Sequence, residues 1–202
     1  MGNSPSIEDS GSDGYPERMA TSGRSRRQPT LAEAKALGHP LRLRILRLCA
    51  QDELTNKQLA DRLGRDPGSV LYHVRMLAGA GLLEAAPVRA GASGALEKPY
   101  RSTGATWWLD GPLVGTDAEY APVEAFQAEL REAGLDSIAI YERFYLHLSP
   151  DDAAELDRRI LTVLDEYVQT DDQRRDQPVL GGMLLLHRLA QRSGAGSDPV
   201  AE

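Results

Sequence analysis

The chain has 202 residues, 41% of them hydrophobic and 26% charged, which predicts one or two folded domains and excludes wholesale disorder. No apolar run approaches the ~18–20 residues that span a bilayer, and the first residues are polar and acidic, so we expect a cytoplasmic protein without a signal peptide. Cys49 is the single cysteine, which excludes an internal disulfide and a cysteine-rich zinc site. The net charge of −7 is uneven: residues 31–110 carry 11 Lys and Arg against 8 Asp and Glu, whereas residues 111–202 carry 8 Arg against 18 Asp and Glu, so only the first region is suited to a polyanion.

Residues 1–29 are rich in Gly, Ser, Asp and Arg and contain few large apolar side chains, which predicts a disordered N-terminal tail. The end of this tail brings together Arg24, Arg26 and Arg27. A solvated tail is the favoured interpretation. The alternative is an arm that touches DNA phosphates or a minor groove.

Two helices are predicted to open the ordered chain. Thr30 and Glu33 have the spacing of a capping box for a helix over 31–37, which Gly38 would end. Pro40 suits the first position of a second helix, over 40–50, whose apolar residues form two adjacent stripes. The second helix is therefore expected to have a wide buried face.

The next two helices are separated by a very short turn. Thr55 and Gln58 form a second capping box, for a helix over 55–63. Gly64-Arg65-Asp66 follows, and Asp66 is a good N-cap for a helix over 67–80 that begins with a proline and ends before Gly81. This pattern predicts two helices joined by a three-residue turn.

A basic hairpin is predicted after these helices. Residues 82–87 and 97–103 are expected to be its two strands, and the glycine-rich residues between them its flexible tip. Arg89 lies in the tip, and Lys98 and Arg101 lie on the returning strand.

Two short helices with a tight turn, followed by a basic hairpin, are the layout of a winged helix-turn-helix. The major groove of DNA is about 12 Å wide and admits one α-helix, while a basic hairpin alongside can reach phosphates. An ordinary helical bundle is the competing interpretation of the two capped helices.

The stretch LGHPLRLRILRLCAQDELTNKQLADRLGRDPGSVLYHVRMLAGAGLLE, with the wing return EKPYRST, resembles the ArsR-type winged-helix transcriptional repressors. The resemblance covers about residues 31–105 and makes the bundle interpretation minor. It implies a homodimer that binds operator DNA and is released by an effector. It also implies a fold of the α+β class, mainly helical, with a winged-helix DNA-binding domain over 30–110. The acidic remainder is more similar to larger actinobacterial-type regulators that carry an added C-terminal region.

The metal-sensing members of that family carry cysteines on the first helix of the motif, and this chain departs from them. The corresponding stretch, residues 53–57, has no cysteine and contains Lys57, which disfavours a metal site of that kind. Cys49 lies on the apolar stripe of helix 40–50 and is expected to be a buried core thiol rather than a redox switch.

The recognition helix 67–80 can be divided into faces at 100° per residue. Val70, Val74 and Leu77 define the buried side, and His73 at its edge is expected to be a packed core histidine. Tyr72 and Arg75 point the opposite way, and Arg75 can contact guanine through two hydrogen bonds. The alternative is that both side chains contact only phosphates. The predicted DNA-binding residues are Gly68, Ser69, Leu71, Tyr72, Arg75, Arg89 and Lys98, the last two on a wing over 83–102 that contacts the backbone.

The segment 111–190 is predicted to be an acidic α/β region that holds a dimer together or shapes an effector pocket. Gly111, Pro112 and Gly115 mark the junction, and helices are expected at 122–133 and from Ser149 to about Val168. Residues 137–148 favour a strand but also permit a helix, and residues 179–189 favour a strand. Residues 191–202 are expected to be a flexible tail.

No catalytic set stands out in the sequence. The four histidines fall in four different predicted elements, and no metalloprotease motif, phosphate loop or nucleophile elbow is present. His147 and His187 would meet if the two predicted C-terminal strands pair, but two histidines do not make a metal site. We therefore expect no enzyme, no cofactor and no metal, but a homodimeric DNA-binding regulator, most simply a repressor. The alternative is a winged-helix module that mediates protein interaction or dimerisation without operator recognition.

Overall fold

The computed structural model describes residues 26–91, 94–110 and 120–189. In these ranges the chain is mainly helical, and its strands are short. The helices are α1 (Leu31–Leu37), α2 (Pro40–Gln51), α3 (Asn56–Leu63), α4 (Pro67–Gly79), α5 (Ala121–Ala133) and α6 (Pro150–Gln169). The strands are β1 (Leu54–Thr55), β2 (Leu83–Ala85), β3 (Arg89–Ala90), β4 (Leu96–Glu97) and β5 (Pro99–Ser102), and 3₁₀ turns span Ala105–Trp108, Leu135–Ser137 and Asp171–Arg174.

Helices α1, α3 and α4 begin at the predicted capping residues. The Thr30 hydroxyl accepts from the Glu33 amide at 3.3 Å while the Glu33 carboxylate accepts from the Thr30 amide at 2.8 Å, which completes the capping box of α1. Thr55 and Gln58 make the same pair of bonds at the start of α3, at 3.2 and 2.8 Å. Asp66 caps α4 with its carboxylate. These local signals were sufficient to place the helix starts, because each satisfies backbone donors that the helix itself leaves open.

The predicted hairpin forms, but its sheet has a third strand that was not predicted. β5 lies between β1 and β2 and is antiparallel to both. Tyr100 is opposite Leu54 on one side and Ala85 on the other. β3 and β4 pair separately towards the tip of the hairpin, whose residues 92 and 93 lie outside the described residues. The extra strand fixes the base of the wing to the start of α3.

One apolar core unites α1–α4 with the base of the wing. Its fully buried side chains include Ile45 of α2, Leu59 of α3, and Leu77 of α4, each 0% exposed, and Leu82 before β2 at 1%. Val70 and Val74 share the buried face of α4 with Leu77, as predicted. This face presses α4 onto the domain and leaves its opposite face to solvent.

The first described helix of the acidic half of the chain packs on the winged-helix domain. α5 lies against α2. Arg44 pairs with Glu132, and the Arg47 Nε lies 3.0 Å from the Glu129 Oε1. Burial raises the pKa of Glu129, although Arg47 opposes that shift. The opposite net charges of the two regions are therefore used to hold α5 against α2.

Arg26 and Arg27, at the end of the predicted disordered tail, contact the folded part of the chain. Arg27 forms a bridge with Leu109, in which the Arg27 amide donates to the Trp108 carbonyl at 3.0 Å. The Arg27 guanidinium also binds Glu33 at 2.6 Å, and this bond lowers the pKa of Glu33 to about 2. Arg26 pairs with Asp165 of α6 at 2.9 Å. Both arginines are thus used within the chain, which disagrees with a free arm on DNA; Arg24 and the rest of residues 1–25 lie outside the described residues.

The two C-terminal segments that were expected to be strands form neither strand nor helix. Residues 138–149 and 178–189 have no helix and no bridged strand between them or with any other described residue. α6 lies between the segments and buries only Asp165. The predicted α/β character of this region is therefore not found in the described single chain; the junction at 111–119 and the tail from 190 onward lie outside the described residues.

Candidate nucleic-acid interface

α3 and α4 form a compact pair with their starting ends side by side. Gly64 ends α3 with φ at 60°, the left-handed conformation that a glycine adopts without strain, and α4 begins three residues later, at Pro67. The Asn56 side-chain amide donates to the Pro67 carbonyl at 2.9 Å and thereby joins the first residue of α3 to the first residue of α4. The geometry is that of a helix-turn-helix, in which the second helix is free to enter a groove.

The outer face of α4 carries the predicted reader side chains. Tyr72 is 60% exposed, Arg75 and Ser69 are exposed, and Leu71 is half-buried at the edge. Among the described residues, no ion pair or hydrogen bond occupies the Arg75 guanidinium. A tyrosine and an unoccupied arginine three residues apart on one exposed face can reach base edges together.

Gly68 has a structural reason to lack a side chain. A Cβ at this position would lie 3.0 Å from the Asp66 Oδ1, which is the atom that caps α4 by accepting from the Ser69 amide at 2.9 Å. A larger residue would therefore disturb the cap. The position also lets a surface approach the helix start closely.

His73 lies on the buried side of α4, as expected for a packed core histidine. It is 9% exposed, its ring centroid lies 4.6 Å from that of His39, and its Nδ1 has no hydrogen-bond partner in the described chain. Burial lowers the pKa of His73, and His39 and Arg42 lower it further. His73 is thus held neutral behind the reader face.

The basic residues of the wing differ in whether they already form ion pairs or hydrogen bonds within the chain. The Arg89 Nε lies 3.4 Å from the Glu97 Oε2, and its Nη2 donates to the Glu53 carbonyl at 3.2 Å. Arg101 is bound by Glu84 at 2.7 Å. Lys98 is exposed, and the described residues include no acid paired with it. Of the predicted wing contacts, Lys98 is therefore ready to meet a phosphate, whereas Arg89 must first leave Glu97.

Two further cations belong to the same region and were not among the predicted site residues. Lys57 is exposed in the first turn of α3, and Arg65 is exposed in the turn before α4. No ion pair with either is found in the described ranges. Their positions in the helix-turn-helix, rather than any motif of their own, were the signal that could have identified them.

The other chemical groups of the described chain do not assemble a second kind of site around α4. Burial raises the pKa of Cys49 to about 12, so its thiol stays protonated. No cluster of three His, Cys, Asp or Glu side chains with the spacing of a metal site occurs in the described ranges. Among the helices of those ranges, none is both long and apolar enough to cross a membrane.

A cavity of about 390 Å³ lies behind the interface, where α1 and α2 meet the start of α5. Its lining is mostly apolar and includes Leu37, Leu43, Leu46, Leu109 and Pro122. It lies at the junction of the two regions and is open to solvent, and the effector pocket expected in residues 111–190 stays a prediction.

The helix-turn-helix assignment agrees with a comparison to known families. A family model described as a helix-turn-helix domain matches residues 37–85, which run from the end of α1 through β2. Comparison of the chain with curated proteins gave no match. The chain therefore contains a helix-turn-helix domain, a module typical of DNA-binding regulators.

Proposed function

We propose that the protein is a sequence-specific regulator of transcription that binds double-stranded DNA as a homodimer and acts as a repressor. α4 enters the major groove with Tyr72 and Arg75 towards the bases, and the wing contacts the backbone through Lys98. The observation that carries this proposal is the exposed, unoccupied Arg75 on the face of α4 opposite the buried Val70 and Leu77.

The charge distribution supports the orientation. Lys57, Arg65 and Lys98 are exposed cations of the helix-turn-helix and the wing, while the net charge of residues 111–202 is −10. Phosphates attract the first set and repel the second region, so the acidic half faces away from the duplex. Repression is proposed because the resemblance of residues 31–105 is to repressors. No enzymatic activity is proposed.

Selection of genomic fragments by the purified protein, followed by sequencing, tests the proposal. We expect a pseudo-palindromic site with half-sites one helical turn apart, ~34–36 Å, because a two-fold dimer presents two recognition helices. If no fragment is retained above non-specific background at low salt, the operator-binding proposal is wrong and a protein-interaction module replaces it.

Variants then separate the reading of bases from binding to the backbone. Arg75→Ala is expected to weaken binding to the selected site by about 1–3 kcal/mol and to relax base preference. Lys98→Ala is expected to weaken binding to all sequences alike and to reduce the salt slope by about 1. Arg158→Ala, an exposed arginine on α6, is the matched control and should change neither. Equal losses on all sequences from Arg75→Ala would show that α4 does not read bases.

A further inference from the structure

Two C-terminal segments expose an unusual amount of apolar surface. We define segment A as residues 138–149 and segment B as residues 178–189, on either side of α6 and its following turn. Fourteen large apolar side chains in them are between 36% and 82% exposed: Ile138, Ile140, Tyr141, Phe144, Tyr145, Leu146, Leu148, Val179, Leu180, Met183, Leu184, Leu185, Leu186 and Leu189. With the three aromatic side chains at the ~150–250 Å² that such residues can bury and the eleven aliphatic ones at less, this is on the order of 1,000 Å² that the described residues leave in water. Patches of this size mark an interaction surface.

We propose that a second copy of this chain covers these segments, and that segment B pairs with its own copy, antiparallel, across the two-fold axis of the dimer. This inference rests on the dimer of the proposed function and assigns it a surface. The area is sufficient, because a stable interface buries about 800 Å² per partner.

The residue pattern of segment B suits self-pairing. In an antiparallel pair, two residues that lie opposite each other have their side chains on the same face of the sheet. When a two-fold axis perpendicular to the sheet relates the two strands, the numbers of opposite residues therefore add up to the same even number along the whole pair, and one residue lies opposite its own copy. Centring the pair on Leu184 or Leu185 places apolar residues or glycine opposite Leu184, Leu185 and Leu186. The only charged residue of the segment, Arg188, then meets neither a charge nor its own copy. Because both faces of 183–186 are apolar, the segment is built for a central strand.

Segment A suits an outer position instead. Its apolar Ile140, Phe144 and Leu146 share one face with Glu142, and Arg143 lies on the other face, so neither face is fully apolar. Two of the central registers of a self-pair, on Glu142 and on Arg143, would place like charges opposite each other, which is destabilising, whereas every register of segment B centred within 183–186 avoids this. Segment B is therefore the one that lies at the axis.

Charge and chain connection also favour a second copy. The segments contain one acid, Glu142, although residues 111–202 carry 18 acids, so two copies can meet here without acid facing acid. Pairing of A with B in one chain would need α6 to turn back over the strands. Only Ser149 separates Leu148 from the first residue of α6, whereas such connections usually have about 2–6 residues. The two segments form no bridge with each other in the described structure.

Disulfide trapping in the full-length chain tests the axis. Cys49 is buried and can remain, since its thiol stays protonated. Leu184→Cys and Leu185→Cys are oxidised mildly and compared with Leu96→Cys, a matched control at an 80% exposed leucine of the wing. We expect a covalent dimer from Leu184→Cys or Leu185→Cys and none from Leu96→Cys, because a disulfide needs Cα atoms about 4.4–6.8 Å apart. Equal cross-linking at all three positions, or none, overturns the inference.

Light scattering with a second variant covers the case in which cross-linking fails for local reasons. Wild-type protein should be a dimer at tens of micromolar, and Leu185→Lys a monomer with unchanged helix content. A monomeric wild type, or a Leu185→Lys variant that stays dimeric, overturns the inference. Binding to a single DNA half-site separates this failure from that of the proposed function: Leu185→Lys should keep its half-site affinity. Loss of the dimer surface with intact half-site binding would overturn this inference but leave the DNA-binding part of the proposed function standing. A dimer through segment B without specific DNA binding would support this inference and overturn the proposed function.

Discussion

The winged-helix region and the C-terminal region contain similar kinds of apolar side chains but bury them very differently. Fifteen buried residues between Ala36 and Leu83 form one cluster. In the described residues 120–189, by contrast, only Ala121, Ala125 and Asp165 are buried. The first region buries its apolar side chains within one chain, whereas the second exposes leucines, tyrosines and a phenylalanine to solvent.

The difference follows from how the apolar residues are arranged along the chain. In α2, α3 and α4 they recur at helical spacing on short, well-capped helices, so three faces can close on each other around Leu77. In segments A and B they lie on stretches that no other part of the described chain pairs with. Burial of such stretches needs strand partners, which the second copy proposed above would supply.

The largest expected effect is a loss of stability of the winged-helix region, produced by a substitution in its core. Leu77→Ala should lower the free energy of unfolding by about 2–5 kcal/mol, because it opens a cavity at a fully buried position. Urea unfolding followed by the fluorescence of Trp107 and Trp108 measures it. Leu135→Ala is the matched control, at a leucine of the C-terminal region that is 76% exposed and lies outside segments A and B, and it should leave the urea midpoint unchanged. Equal shifts in both variants would contradict the comparison.

A smaller effect is expected where the two regions are joined. The Asp165 Oδ1 accepts from the Arg26 guanidinium at 2.9 Å and from the Trp107 indole at 2.8 Å, and Arg26 also stacks over the Trp107 ring at 4.6 Å. Asp165→Asn keeps the shape but removes the charge that pairs with Arg26. The local contact should weaken by about 1–3 kcal/mol, since a buried charge loses its partner.

Amide hydrogen exchange measures this loosening at residues close to the join. The Arg27 amide, bonded to the Trp108 carbonyl, and the Asp110 amide, bonded to the Arg27 carbonyl, should exchange faster in Asp165→Asn, while α3 and α4 keep their protection. Glu166→Gln, at the exposed neighbouring position, is the control and should leave these amides as they are. Unchanged exchange at both amides in Asp165→Asn would show that the bond does not join the regions.

The sequence was most informative where structure is local. Thr30, Thr55 and Asp66 cap their helices within three residues, so the helix starts could be predicted from short patterns. β1 could not, because two residues become a strand only when β5, over forty residues later, lies beside them. The contact of Arg26 with Asp165 spans 139 residues and has no pattern in the sequence. The occupied state of Arg89 likewise depends on the facing Glu97 and on the Glu53 carbonyl.

The smallest expected effect concerns the histidine pair behind α4. Burial lowers the pKa of both His39 and His73, and Arg42 adds to the lowering in each case. The unfolded chain, with ordinary values near 6.5, then binds more protons than the folded chain as the pH falls. The stability contributed by the neutral pair is therefore fully present above about pH 6.5 and is lost as the pH falls below it.

His39→Asn tests this pair without removing the cap. The His39 Nδ1 accepts from the Leu41 amide at 3.1 Å to cap α2, and asparagine is a preferred residue at this position. Urea midpoints measured from pH 7.5 to 5.5 should fall for the wild type and fall less steeply for His39→Asn, because one titrating ring is gone and His73 no longer has a neighbour that gains a charge as the pH falls. His187→Gln, at an exposed histidine of segment B, should follow the wild-type slope. A wild-type midpoint that is flat over this range, or an equally steep fall in His39→Asn, would show that the pair does not tie the stability of the helix-turn-helix to pH.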